Sequence, residues 1–230
     1  ILSDLTIGPN VAGVEELEAN QDIGYRGITL VGDGFILEGD KAESLKEKDS
    51  RGIVKPFVAG HDLIQHEITD HAIDFYGFDA EEARAAFPEG YQRIKERVKS
   101  EREAKRGETP DADEYADEWW LFAKTRPELR KAVDGLDRFI VTPRTAKHRF
   151  FLVLDSGVLP GTSVVAVASD DAYLLGVLSS NIHVTWSLAP SNSGRMGQGN
   201  DPRYLHTKCF NAFPFPAADA SQKATIRDLG

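Results

Sequence analysis

The sequence predicts an α+β fold: twisted, mostly antiparallel sheets with flanking helices and a protruding charged helical arm at about residues 79–135. Three observations predict this class. Short β-prone runs bounded by turn residues lie on both sides of the arm. Helix-start signals and an amphipathic charged segment lie within it. A mostly apolar stretch with helical spacing follows the last of the β-prone runs.

The N-terminal part is rich in β-prone residues. The run GYRGITLVGDGFIL at 24–37 contains the turn-forming Gly32-Asp33-Gly34 and predicts a hairpin or a bulged strand pair. Turn chemistry accounts for these glycines better than a phosphate-binding loop does, because no helix signal follows Gly34 and no Gly-Lys-Ser/Thr occurs. A further strand and turn are predicted at 52–62.

The arm begins with a helix-start signal, since Asp79 followed by Glu82 fits a capping box. Tyr91, Ile94 and Val98 then form an apolar stripe, which predicts an amphipathic helix. We expect its charged face to be solvated rather than bound to a phosphate backbone.

An acidic stretch without a basic residue follows the amphipathic segment, and we expect it to form a solvated acidic lobe. Its acids are Glu108, Asp111, Asp113, Glu114, Asp117 and Glu118. Trp119 and Trp120 come directly after it. Adjacent residues of a helix point in different directions, so one tryptophan is expected to pack inward while the other anchors the lobe.

The C-terminal half returns to strands. Thr125, Pro127, Glu128 and Gly135 supply the cap, first-turn and stop signals of a helix at about 126–133. It leads into three β-prone runs, at 139–141, 150–154 and 164–168.

Ser169 is expected to cap the next helix, with Asp170 and Asp171 favourably placed in its first turn. Apolar residues at every fourth position predict one continuous helix; they are Leu174, Leu178, Ile182 and Trp186. Capping explains the two aspartates better than a metal site does, and His183 is predicted to be a packing residue.

Length and composition limit the classes of protein. A chain of 230 residues can bury an ample core, and its single cysteine, Cys209, excludes an intramolecular disulfide framework. The sequence shows neither a signal peptide nor an apolar run of membrane-spanning length, so we expect a cytoplasmic protein that does not bind membranes. The formal charge of −10 argues against DNA binding unless the acids face away from the DNA.

One segment, 138–149, is basic and contains no acid, which suits contacts with phosphate oxygens. The predicted DNA-backbone contacts are Arg138, Arg144, Lys147, His148 and Arg149. The loop SGRMGQGNDPRY, at 193–204, adds side chains whose donors and acceptors can distinguish base edges in a major groove. The predicted base-reading residues are Arg195, Gln198, Asn200, Asp201 and Arg203.

The order of these motifs resembles the target recognition domain of MmeI-like type IIL restriction-modification proteins, which combine a nuclease, an adenine N6 methyltransferase and a sequence-reading domain. The segments that carry the resemblance are GDGFIL at 32–37, KPFVAGHDL at 55–63, LDRFIVTPRTAKHRFF at 136–151, SDDAYLLGVLSSNIHVTW at 169–186, the Gly194-Arg195 loop and NAFPFP at 211–216. The resemblance implies that base choice lies just after the Gly-Arg pair, where this chain is rich in glycine.

The resemblance also implies a domain arrangement and partners. Residues 1–216 would form the recognition domain and 217–230 would begin a C-terminal helical segment, within a longer chain whose methyltransferase domain precedes Ile1. The implied partners are double-stranded DNA and that methyltransferase domain. The implied cofactor of the parent enzyme is S-adenosylmethionine. We expect this chain to hold no cofactor and no catalytic residue, because it contains neither a glycine-rich SAM loop nor an Asn/Asp-Pro-Pro-Tyr/Phe motif.

Two other functions remain open from the residues alone. The acidic balance and the tryptophans would suit a protein-interaction or scaffolding domain. A metal-dependent hydrolase is a weaker alternative, with His61, His66, His148 and Asp170 as its candidate residues.

Overall fold

The computed structural model describes residues 14–65, 67–189, 195–196 and 200–229. The strands of these residues are β1 (Gly24–Arg26), β2 (Ile36–Leu37), β3 (Val54–Val58), β4 (His71–Ile73), β5 (Arg138–Pro143), β6 (Leu152–Asp155), β7 (Leu159–Pro160), β8 (Val164–Val167), β9 (Arg195–Met196) and β10 (Asp201–Pro202). The α-helices are α1 (Asp40–Lys46), α2 (Gly60–Gln65), α3 (Ala80–Ala86), α4 (Pro88–Ile94), α5 (Ser100–Ala104), α6 (Pro110–Asp117), α7 (Pro127–Val133), α8 (Ala172–Ser179), α9 (Asn181–Leu188) and α10 (Ala220–Leu229). A 3-10 turn occupies Glu18–Asn20, and π-helical turns occupy Lys95–Lys99 and His206–Phe210. These elements confirm the α+β class.

The first sheet has the strand order β1-β8-β5-β6 and is antiparallel throughout. Both of its faces are buried. Phe139 and Val141 of β5 pack on one face with Leu129 of α7, whereas Ile140 packs on the other face with Leu178 of α8. Successive side chains of a strand point to opposite faces, so the consecutive apolar residues of β5 pack against helices on both sides of the sheet.

The second sheet has the order β2-β4-β3-β7, with the β3–β7 pair parallel and the other pairs antiparallel. Its core includes the helical segment of the predicted arm, because Ile94, Val98 and Trp119 belong to the same buried cluster as Phe35 and Ile73. The arm therefore packs along this sheet instead of protruding from the body. Its apolar stripe, which the sequence showed, is what attaches it.

Several local predictions for the arm and for α7 are confirmed. Asp79 and Glu82 form the complete capping box. Trp119 is buried, while the indole of Trp120 donates to the Phe78 carbonyl at 3.0 Å. Helix α7 spans Pro127–Val133, close to the predicted bounds, but the predicted Thr125 cap is wrong: Arg126 is the N-cap residue, and no side chain caps the helix.

The predicted N-terminal hairpin is wrong. Strands β1 and β2 do not pair with each other: β1 pairs with β8 of the first sheet and β2 with β4 of the second. Gly32, with a φ of 121°, does turn the chain between them. The glycines provide the reversal, but pairing partners are set by long-range packing, which local turn chemistry does not encode.

The helix predicted across 169–186 is two helices. Ser180 has an extended backbone, with ψ of 150°, and its hydroxyl accepts from the His183 N–H at 3.3 Å to begin α9. As a result, Ile182 is 76% exposed instead of buried. Asp171, not Ser169, caps α8, with its carboxylate accepting from the Tyr173 N–H at 2.9 Å.

Candidate nucleic-acid interface

The predicted base-reading loop contains a short hairpin. In it β9 and β10 pair antiparallel, with Arg195 opposite Pro202 and Met196 opposite Asp201. Gln198 and the side chain of Arg195 lie outside the described part of the chain. Asn200 is exposed and has a φ of 51°, a left-handed conformation that asparagine tolerates better than most residues. We call residues 195–202 the reading hairpin.

Backbone contacts fix the reading hairpin to the segment that follows β5. The Ala146 N–H donates to the Pro202 carbonyl at 3.4 Å, and the Tyr204 N–H donates to the Arg144 carbonyl at 2.6 Å. An isolated antiparallel bridge joins Thr145 to Arg203. The structure therefore brings together the two segments that the sequence predicted to touch base edges and phosphates.

The predicted phosphate-contacting residues do not share one strand. Strand β5 ends at Pro143, so only Arg138 lies on it, exposed at the end opposite Asp155. Lys147 and His148 are exposed in the β5–β6 connection, and Arg144 is half-buried at its start. The basic segment is therefore a strand end and a loop rather than one continuous basic strand.

The predicted role of Arg149 does not fit its position. Its side chain is buried, and its guanidinium donates to the Pro143 carbonyl, to the Thr142 hydroxyl at 2.9 Å and to the Pro202 carbonyl at 3.3 Å. It also lies over the Tyr204 ring, 5.1 Å from the centroid. Arg149 therefore holds the reading hairpin against β5 from inside the protein, and we leave it out of the DNA-facing set.

His183 is fully buried and packs among aromatic rings, as predicted. Its Nε2 and the Tyr204 hydroxyl hydrogen-bond at 2.9 Å, and Phe213 packs edge-on at 4.4 Å. Burial, and secondarily the positive charge of Arg149, lowers the pKa of His183 from 6.5 to about 3. The imidazole is therefore neutral at physiological pH and links α9 to the segment behind the reading hairpin.

This position gives a pH-dependent stability. Below about pH 6.5 the unfolded chain takes up a proton at His183, whereas the folded chain does so only near pH 3. Stability from this group is therefore full above about pH 6.5 and falls as the pH drops, by up to about 1.4 kcal/mol per pH unit. We expect urea unfolding to show that His183→Gln reduces the loss of stability between pH 7 and pH 5 relative to wild type. His148→Gln, at an exposed position, is the control, and an equal loss in wild type and His183→Gln would contradict the assignment.

The structure adds two arginines that the sequence analysis missed. Arg26, at the end of β1, donates through Nε to the Thr162 carbonyl at 3.3 Å, and the Arg144 N–H donates to the neighbouring Ser163 carbonyl at 2.7 Å. Arg126, just before α7, donates through Nε to the Gly27 carbonyl at 3.3 Å. We call Arg26, Arg126, Arg144 and Arg203 the arginine cluster.

The arginine cluster has a positive field. The pKa values of Arg26 and Arg144 are lowered first by burial and then by neighbouring arginines, including Arg203 in both cases. Burial also lowers the pKa of His206; Glu16 opposes that shift, while Arg126, Arg144 and Arg26 add to it. Four distant sequence positions meet here, so no local basic motif could have predicted the cluster.

The alternatives considered from the sequence gain no support from the site. Within the described ranges, no group of three or more His, Cys, Asp or Glu side chains is arranged to hold a metal ion. The His61 Nε2 and Asp62 Oδ1 atoms lie 2.7 Å apart, and His66 is outside the residues that the structure describes. Nor does any helix among these residues have the length and apolarity needed to cross a membrane.

Comparisons with known proteins identify the family of the chain. The family model for the MmeI target recognition domain matches residues 20–217, most of the chain. The chain belongs to the MmeI target recognition domain family. Among solved structures, it is similar to the type IIL restriction-modification enzyme MmeI in complex with DNA, with a TM-score of 0.70 and 19% identity over 90% of this chain and 26% of that chain.

One curated relative also matches this member of the MmeI target recognition domain family. DNA methyltransferase A of Bacillus subtilis (strain 168) is 25% identical over 112 residues, which cover 47% of this chain and 12% of the relative. The chain therefore spans about an eighth of that protein's length and about a quarter of the length of the solved enzyme. The family membership confirms the resemblance found from the sequence and favours a recognition module over a scaffolding domain or a hydrolase.

Proposed function

We propose that this target recognition domain reads DNA sequence for an adenine N6 methyltransferase, combined with a restriction nuclease, on the same polypeptide in the cytoplasm. The observation that carries the proposal is the attachment of the reading hairpin to the basic β5–β6 connection through the Pro202, Arg144 and Thr145 contacts. A two-stranded ribbon fits the major groove of B-DNA, where each base pair presents a distinct pattern of donors and acceptors.

The proposed interface has two parts with different tasks. Exposed Arg138, Lys147 and His148, together with half-buried Arg144, would contact phosphates and set the register without carrying sequence information. Arg195, Gln198, Asn200 and Asp201 would face base edges. Arg203 was predicted to pair with guanine, but its Nε is enclosed and it lies beyond the hairpin in the arginine cluster. A changed recognition motif in an Arg203 variant would support the guanine role.

Net charge does not oppose this arrangement. Acids of the lobe are paired locally: Asp117 binds Arg106 at 2.8 Å, and Asp111 binds Lys124 at 3.3 Å. In the described residues, no carboxylate forms an ion pair with Arg138, Arg144 or Lys147. The negative total is therefore compatible with a locally positive DNA-facing surface.

We propose that this chain does not bind S-adenosylmethionine, since its sequence lacks the glycine-rich loop that holds this cofactor. One of the strand-to-helix turns that contain a glycine, from β3 into α2, is closed: the Gly60 N–H donates to the Ser163 hydroxyl at 2.8 Å, and the Ala59 N–H donates to Asp62 at 2.6 Å. A Cβ at Gly60 would lie 2.8 Å from the Ser163 carbonyl oxygen, so this turn has no room for a ligand between Gly60 and Ser163. We propose that the methyltransferase domain of the parent chain binds this cofactor and flips the target adenine.

The proposal predicts which substitutions alter sequence choice. In the full-length protein, Gln198→Ala or Asn200→Ala should change the base accepted at one or two positions of the methylated site, since a bidentate amide contact with adenine is worth about 1–3 kcal/mol of discrimination. Lys147→Ala should lower methylation at all sites and leave the motif unchanged. Sequencing of methylated sites in cells that express each variant measures both effects.

Gln92→Ala is the matched control. It removes an exposed side-chain amide on α4, outside the reading hairpin, so it should leave the motif as it was. An unchanged motif in both the Gln198 and Asn200 variants, with methylation still measurable, would reject the reading role of the hairpin.

A further inference from the structure

The arginine cluster is assembled by close backbone packing. Gly27 follows Arg26, and a Cβ at this position would lie 2.1 Å from the Gly161 carbonyl oxygen. Only glycine permits this approach, which presses the end of β1 onto the turn at 161–163. Arg26 and Arg144 both hydrogen-bond to that turn, at Thr162 and Ser163. Two members of the cluster are thus fixed side by side by one short segment.

The other two members are held next to this pair. Arg126 donates to the Gly27 carbonyl at 3.3 Å, and Arg203 is bridged to Thr145, the residue after Arg144. Arg126 has φ of 55° and ψ of 62°, a left-handed conformation that is costly for a residue with a Cβ. Strained backbone of this kind persists where the surrounding structure requires it, and it is concentrated at functional sites.

The cluster has unused hydrogen-bonding capacity. Arg203 Nε and Thr162 Oγ1 are buried and have no hydrogen-bond partner among the described residues. Among the described residues, no carboxylate forms an ion pair with Arg26, Arg144 or Arg203. Arg126 forms one ion pair there, with Glu128 at 3.9 Å. Four crowded positive charges with so little internal neutralisation repel one another, and an anion would relieve that repulsion.

We propose that the arginine cluster is a phosphate-binding site, in which Arg26 and Arg126 join Arg144 and Arg203 to hold a backbone phosphate beside the bases read by the hairpin. The DNA part of this proposal rests on the proposed function, whereas binding of a phosphate group does not. Guanidinium groups suit this ligand because their planar N–H donors match phosphate oxygens. The contacts between β10 and the β5–β6 connection would set the distance between phosphate and bases.

The first test uses inorganic phosphate as the probe and the melting temperature of the full-length protein as the readout. Phosphate should raise the melting temperature of wild type above that in chloride of equal ionic strength, and Arg26→Gln or Arg126→Gly should reduce this rise. Arg126→Gly also relieves the strain of the left-handed backbone, because glycine adopts this conformation freely. It should therefore fold even if Arg26→Gln does not. Arg84→Gln, which removes an exposed charge on α3, is the matched control and should retain the full rise.

The second test measures affinity for a duplex with a scrambled sequence across a range of salt concentrations. Loss of one phosphate contact should lower the slope of log K against log salt by about 0.9 and weaken binding at fixed salt by about tenfold. The methylated motif should stay the same in the Arg26 and Arg126 variants.

The outcomes separate the two proposals. Equal phosphate stabilisation and equal salt slopes in wild type and both variants would overturn the phosphate site while leaving sequence reading intact. If phosphate raises the melting temperature of wild type but not of the variants, and the salt slopes of DNA binding are equal, the site binds a free phosphate group and not DNA. If the methylated motif is unchanged in the reading-hairpin variants while the Arg26 and Arg126 variants show the lower salt slope, sequence reading by the hairpin is rejected and the phosphate site is supported.

Discussion

Replacing Arg102 by alanine should destabilise the protein more than loss of any of the DNA-facing side chains. The side chain is 2% exposed, and its guanidinium donates to the Leu30 carbonyl at 2.7 Å and to the Leu121 carbonyl at 2.8 Å. It also reaches the Val31, Tyr115 and Glu118 carbonyls. Burial lowers the pKa of Arg102 to about 10, so it remains charged at neutral pH.

The expected cost of Arg102→Ala is about 3–5 kcal/mol, because the change opens a cavity and leaves several buried carbonyls without a donor. Such a loss is a large part of the stability of an ordinary domain. Urea unfolding measures the total, and hydrogen exchange should show the largest loss of protection at 110–121, the segment that Arg102 ties to Leu30 and Val31. Arg106→Ala is the control. Arg106 forms an exposed ion pair with Asp117, so its loss should cost at most about 1 kcal/mol. A cost below about 1 kcal/mol for Arg102→Ala would show that these hydrogen bonds do not hold the segment in place.

Replacing Arg149 by alanine should have the second-largest effect and should connect stability to recognition. The guanidinium bonds to Pro143, Thr142 and Pro202, so its removal unpairs buried acceptors on β5 and on β10 together. We expect a loss of about 2–4 kcal/mol in the free energy of unfolding. Below the unfolding temperature, methylation by the full-length protein should become less selective, since the reading hairpin loses its internal support.

Lys147→Ala is the matched control for stability, because this neighbour is exposed and should change the free energy of unfolding by less than about 0.5 kcal/mol. Equal stability of wild type and Arg149→Ala would mean that Arg149 does not support the hairpin. Loss of methylation at all sites with unchanged stability would instead return Arg149 to the phosphate-contacting residues.

Elements whose signals lie within a few residues were predictable. The Asp79–Glu82 capping box, the Pro127–Val133 helix and the inward packing of one of the two adjacent tryptophans follow from local hydrogen bonding and from the spacing of apolar residues. The break between α8 and α9 at Ser180 was not predictable from the spacing of apolar residues. A serine within an apolar run can cap a new helix or continue the existing one, and its neighbours in the sequence do not distinguish the two.

The candidate site also contains features that the sequence predicted and features that it did not. A contiguous basic segment and an amide-rich loop could be recognised from the sequence, and the structure joins them through the contacts at Arg144, Thr145 and Pro202. The number of basic residues in a segment does not show which of them face solvent. Arg149 is buried because it binds three acceptors and packs on an aromatic ring, whereas its neighbours Lys147 and His148 are exposed.

Residue types in a fixed order along the chain were enough to predict the α+β class, the family and the position of the segment that contains β9 and β10. The tertiary structure decided that β1 and β2 belong to different sheets and that Arg26 and Arg126 lie beside Arg144 and Arg203. The physical reason is that strand pairing and charge clustering are settled by contacts between residues far apart in the chain, such as Ile36 with Ala72 and Gly24 with Val167. Such contacts form only when the buried faces of both sheets have found their partners.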